Sequence, residues 1–186
     1  MRKFTLIPAA LLLAGCSAPA ESTPTVIEDT FTPSPVQSYS TADPFDFYTD
    51  EALGTIQFGA EPLPLFNEYM AAIGNTDEFS FATVDVDNRN GTTPIDSIGA
   101  LAYTEEGVQH ECTHVNNILN DHVDEEPVTD EALDLYYELD GVYEVSAGQR
   151  ATVHLVCAGT TPETVASATF RTMGTEWPAF QEEETK

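Results

Sequence analysis

Basic residues are nearly missing from this 186-residue chain: six lysines and arginines stand against 32 acids, a formal net charge of −26. Such a surface repels a phosphate backbone, which excludes nucleic acid as a partner. It repels anionic headgroups as well, so a basic patch is excluded as a means of membrane attachment. Long apolar runs are also scarce. The main one, Phe4–Ala14, is broken by Thr5 and Pro8 and falls short of the roughly 20 residues a helix needs to cross hydrocarbon. There is no glycine-rich phosphate loop, no Gly-x-Ser-x-Gly elbow and no internal repeat. Only three cysteines are present, at positions 16, 112 and 157. The length allows one domain and a tether.

What is there begins with Arg2 and Lys3, a short positive region ahead of the apolar run. This pattern fits a secretory signal peptide, and the small residues Ala14 and Gly15 before Cys16 fit a peptidase with a narrow pocket. Leu13-Ala14-Gly15-Cys16 resembles the lipobox of bacterial lipoproteins. The resemblance implies cleavage before Cys16, a diacylglyceryl thioether on its sulfur and acylation, palmitate for example, of the new amino terminus. Two or more acyl chains anchor stably, since each buried methylene contributes about 0.8 kcal/mol. The expected location is the extracytoplasmic side of a membrane in the cell envelope. Once residues 1–15 are gone, only Arg89, Arg150, Arg171 and Lys186 oppose the 32 acids, leaving −28. Solubility or adaptation to salt accounts for that charge more simply than cation binding.

With Cys16 lipidated, Cys112 and Cys157 remain as an even pair in an oxidising compartment, where a disulfide is the usual outcome. Two free buried thiols are the alternative.

Along the chain, residues 1–15 read as signal peptide and 16–46 as the lipidated cysteine plus a disordered tether rich in Pro, Ser, Thr and acid. Residues 47–174 read as the folded domain and 175–186 as an acidic tail. Strands are expected at 55–59, 79–87, 95–104, 108–115, 150–157 and 165–170. In the second, Ala82, Val84 and Val86 share one face and Phe79 and Phe81 the other, so both faces are partly covered. Turns are expected at Asp87–Gly91, Thr104–Gly107 and Ser146–Gln149. Leu65, Phe66, Tyr69, Met70 and Ile73 predict a helix stopped by Gly74-Asn75. Thr129 or Asp130 predicts the cap of a second, ending before Gly141. Short strands, turns and minor helices together predict a mainly β fold, an antiparallel β-sandwich.

The runs Ala82–Asn88 into Asn90-Gly91, Ala102–Val108 and Val145–Val153 are similar to segments of bacterial, often actinobacterial, lipoproteins with an immunoglobulin-like sandwich and no assigned function. The resemblance covers about residues 55–170. It implies the immunoglobulin-like fold and carries no catalytic residue.

One motif argues for an enzyme. His110-Glu111-Cys112-Thr113-His114 matches HExxH, in which two histidines on one helix face ligate zinc and the glutamate activates water. His122 is a further possible ligand. The alternative function is therefore a membrane-tethered zinc hydrolase using His110, Glu111 and His114. Against it, the turn at Thr104–Gly107 predicts a strand here, which separates the two histidines by about 13 Å at ~3.3 Å per residue. Cys112 is also better employed as the partner of Cys157. Asp85–Gly91 has the acidic spacing of a calcium loop, but Arg89 occupies a ligand position and a turn accounts for the segment. Asp121, Asp124, Glu125 and Glu126 read as a solvated loop with at most loose cation binding. The favoured expectation is a non-enzymatic binding or structural module without a cofactor, facing an extracytoplasmic protein or small-molecule ligand.

Overall fold

A computed structural model of the protein describes residues 37–123, 129–139 and 144–181, with the side chains of His122 and Val123 not included. Cys16 and the signal segment, Asp124–Glu126 and residues 182–186 lie outside the described residues.

The fold is mainly β, and every strand pair among the described residues is antiparallel. In chain order the elements are β1 (Tyr39–Ser40), β2 (Phe45–Tyr48), β3 (Leu53–Phe58), α1 (Pro64–Ala72), β4 (Phe79–Asp87), β5 (Ile95–Asp96), β6 (Gly99–Tyr103), β7 (Gln109–His114), α2 (Val115–Val123), α3 (Asp130–Leu139), β8 (Glu144–Val145), β9 (Arg150–Ala158), β10 (Thr164–Val165), β11 (Ser167–Thr172) and β12 (Thr175–Phe180). Eight of the strands close a barrel in the order β11-β12-β2-β3-β4-β9-β7-β6. The remaining four form two small ribbons, β1–β10 and β5–β8.

This closure differs from the expected two-sheet, immunoglobulin-like sandwich. The reason lies in residues 175–180. They carry acid and a proline and read as part of a tail, yet they form β12. That strand pairs β11 over five register positions and β2 through Ala179↔Phe47 and Phe180↔Asp46, which joins the two edges of the sheet. Closure removes the open edges a sandwich would have to protect. The domain also starts earlier than residue 47, because β1 and the first half of β2 lie within the stretch read as tether.

Period-2 alternation builds the interior. Phe45, Phe47, Ile56, Phe58, Ala82, Val84, Val86, Val153, Leu155 and Phe170 all point inward and are buried. The Phe47 and Phe170 rings stack across the barrel with centroids 3.9 Å apart. Gly54, opposite Phe47, makes room for that ring: a Cβ there would lie 1.9 Å from the Asp85 carbonyl oxygen and 2.7 Å from the Phe47 ring.

A second apolar layer covers the outside of β4 and β9. Phe66, Tyr69 and Met70 of α1, Val115 and Leu119 of α2, and Ala132 and Leu139 of α3 pack on Phe81 and Val156. Pro64 starts α1, where its missing N–H and fixed φ cost nothing. The Thr129 hydroxyl accepts from Ala132 N at 3.2 Å and caps α3, as expected. The expected strand 95–104 is split in two: Ser97 takes a positive φ of 51° between β5 and β6.

Asn88 ties the turns together at one end. It is fully buried, and its Nδ2 donates to Thr93 O at 2.9 Å and Val145 O at 3.0 Å. Its backbone N donates to Gln149 O, and its carbonyl accepts from Gly91 N and Gly148 N. Three chain segments are held by one side chain and its peptide groups. The amide nitrogen is thus spent on structure, as is Asp87, whose carboxylate accepts from Arg89 Nε at 2.9 Å. This bears out the turn reading of Asp85–Gly91.

Candidate functional site

The HExxH run decides which chemistry this fold can host. Gly107 adopts φ 78°, donates to Thr104 O, and Thr104 N donates to Val108 O, so the chain reverses in a tight hairpin. The chain therefore leaves the turn as a strand, β7, in register with β6 through Tyr103↔Gln109, Ala102↔His110, Leu101↔Glu111 and Ala100↔Cys112. His110, Cys112 and His114 are buried, while Gln109 and Glu111 are exposed.

A zinc hydrolase needs both histidines on one metal and the glutamate beside it. On β7 the histidines are four residues apart along an extended chain, about 13 Å. Glu111 faces away from them, out of the barrel, where it accepts a hydrogen bond from Arg171 Nη2. His110, Glu111 and His114 therefore do not form the helical HExxH arrangement that the hydrolase reading needs. His122 falls on the backbone of α2, beyond the end of the strand.

Each histidine has its own surroundings. His114 is the residue before α2, and its Nδ1 accepts from Asn116 N at 3.2 Å, which occupies a donor at the helix start. His110 points into the barrel. Its Nε2 lies 3.5 Å from Ser80 Oγ, and burial pushes its pKa below the ordinary imidazole value, so the ring is held neutral. His154 faces outward on β9.

Cys112 and Cys157 stand directly opposite each other in the β7–β9 register, with their sulfurs at bonding distance, 2.01 Å. The expected pairing is therefore seen, and both cysteines are fully buried within the barrel interior. The link spans a join that is only three register pairs long.

Among the hollows formed by the described residues, two are lined in part by β7. One, of about 270 Å³, lies where β9 meets the helical layer and is lined by Leu63, Leu65, His114, Val115, Leu139 and His154 among others. Its apolar wall with a few polar groups suits a small molecule with an apolar body. The other, of about 640 Å³, is a hydroxyl-lined groove by Ser97, Thr113, Asn117, Arg171, Thr172 and Thr175. Outside both, Tyr48 stacks on Phe180 at 5.6 Å on the exposed side of β2 and β12.

Sequence reasoning found His110, Cys112 and Cys157 but missed Ser80, Arg171 and the Tyr48–Phe180 pair. The parity of β4, in which Ser80 shares a face with Ala82, Val84 and Val86, is the signal that places Ser80 inside. The other two depend on β12 and the β6–β11 pairing, and no local pattern announces them.

Comparison with protein-family models, with curated proteins and with solved structures finds no match to this chain.

Proposed function

We propose that this chain is a lipid-anchored extracytoplasmic protein whose β-barrel domain serves as a non-enzymatic binding or structural module. The observation that carries the reading is Leu13-Ala14-Gly15-Cys16 at the end of a short, positively flanked apolar run. The acidic, Pro-, Ser- and Thr-rich residues between Cys16 and β1 act as a tether that lifts the barrel off the membrane. The charge supports an acyl anchor over a basic patch, because an acidic domain is repelled by anionic headgroups. A small molecule of apolar body at the His114–His154 hollow, or an extracytoplasmic protein, is the partner class. No helix among the described residues is long and apolar enough to cross a membrane.

The test is metabolic labelling of cells with an alkyne-tagged fatty acid, followed by detergent phase partitioning. The wild-type chain takes the label and enters the detergent phase. Cys16→Ala takes no label and stays aqueous. Wild-type chain recovered unlabelled in the aqueous phase, with residues 1–15 still attached, contradicts the reading.

A further inference from the structure

We propose that His110, Cys112 and Cys157 form a binding site for one thiophilic cation of the zinc(II) type, open when the two cysteines are reduced and closed when they are joined. The ligand atoms of these three side chains all lie within 4.8 Å of one another, and all three residues are buried. The barrel sets this convergence. His110 and Cys112 are two apart on β7 and so share a face, and Cys157 is the register partner of Cys112 on β9.

A second observation points to a ligand. His110 is a polar side chain in an apolar interior, and its hydrogen-bond contact is Ser80 Oγ at 3.5 Å, the outer limit for such a bond. Buried polar groups are normally well satisfied. An imidazole nitrogen within 4.8 Å of two sulfurs gains a full partner when a cation sits between them. Two thiolates and one imidazole are the preferred donors of zinc, and three protein ligands leave a fourth position for water or the Ser80 hydroxyl.

The metal and the disulfide compete for the same atoms. Opening the site takes two electrons and two protons: a dithiol reductant becomes its own disulfide, and Cys112 and Cys157 become thiols. Each thiol then gives its proton to solvent as its sulfur bonds the cation. Oxidation by a disulfide oxidant reverses the sequence, rejoins the sulfurs and releases the ion. His114 and Glu111, the other members of the HExxH run, take no part. The proposal stands apart from the lipid anchor and does not depend on it.

The experiment uses the full chain with Cys16→Ala, so that only the two barrel cysteines remain. Kept reduced without oxygen, it is titrated with cobalt(II), then zinc(II). One equivalent of cobalt is expected to give the visible bands of a tetrahedral ion with near-ultraviolet thiolate charge transfer, and zinc is expected to erase both. The oxidised protein shows neither. His110→Ala weakens cobalt binding by at least about tenfold, the low end for loss of a metal-supporting group, and Cys112→Ser abolishes the charge transfer. His114→Asn, which keeps an acceptor at the start of α2, leaves the spectrum unchanged. Circular dichroism is followed throughout. If the reduced chain loses its β signal, recovery on adding zinc supports the site. A folded reduced chain without thiolate–cobalt bands overturns it, and so does an unfolded one that zinc cannot restore.

Discussion

The inside of the barrel and the helical layer on its outside are both apolar, but they are assembled differently. The interior draws residues from all eight strands, including Phe45 and Phe47 near the start and Ala179 near the end of the described chain. Among the described residues, the outer layer draws mainly on three helices and packs on β4 and β9. Phe79 and Phe81 of β4 and Val156 of β9 are the outward strand residues under that layer. Loss of an interior ring therefore removes contacts that close the whole cylinder, while loss of an outer ring loosens one helix from one wall.

The same substitution made on each side separates the two regions most directly. Phe47→Ala removes the ring stacked on Phe170 and is expected to cost about 5 kcal/mol, the upper end for a buried phenylalanine, since the cylinder cannot collapse into the space. Phe66→Ala removes the ring set edge-on to Phe79 and Phe81 and is expected to cost about 3 kcal/mol, because α1 can settle inward. Urea unfolding measures both, and hydrogen exchange should show the second effect concentrated in α1 and its neighbours. Equal, global losses would erase the distinction.

Asn88→Ala tests the tie at the barrel end. It strips the donor from the Thr93 and Val145 carbonyls and should cost about 2 kcal/mol, with faster amide exchange in β5 and β8. The smallest effect is on pH. His110 is held neutral by burial, so its folded pKa lies below the ordinary 6.5. The unfolded chain then binds the proton first, and the contribution is whole above pH 6.5 and lost as pH falls through that value toward the folded pKa. Urea midpoints measured from about pH 7.5 to 5.5 should fall for wild type and fall less for His110→Asn.

Much of this was legible because it is local. Alternation in Phe79–Asp87 and Arg150–Cys157 places the two central strands and their faces, the Thr104–Gly107 turn makes β7 a strand, and the Leu65–Ile73 spacing gives α1. The same parity puts His110 and Cys112 on one side. What was not legible is long-range. Thr175–Phe180 is a short segment with an internal proline whose strand character comes from its pairing with β11 and with the distant β2, and closure of the barrel rests on those partners. The split at Ser97 likewise rests on a backbone turn that no glycine marks. The candidate site was half visible: cysteine arithmetic pairs the sulfurs, whereas the approach of Ser80 to His110 requires the β4–β9–β7 order.

The central claim is that residues 109–114 are a barrel strand between β6 and β9, so that the HExxH run presents its residues to opposite faces. Nuclear Overhauser contacts across that strand in isotope-labelled protein test it most directly. Cross-strand backbone contacts are expected from Cys112 to both Ala100 and Cys157, and from His110 to Ala102. Sequential helical contacts three residues apart running through 110–114 would contradict it.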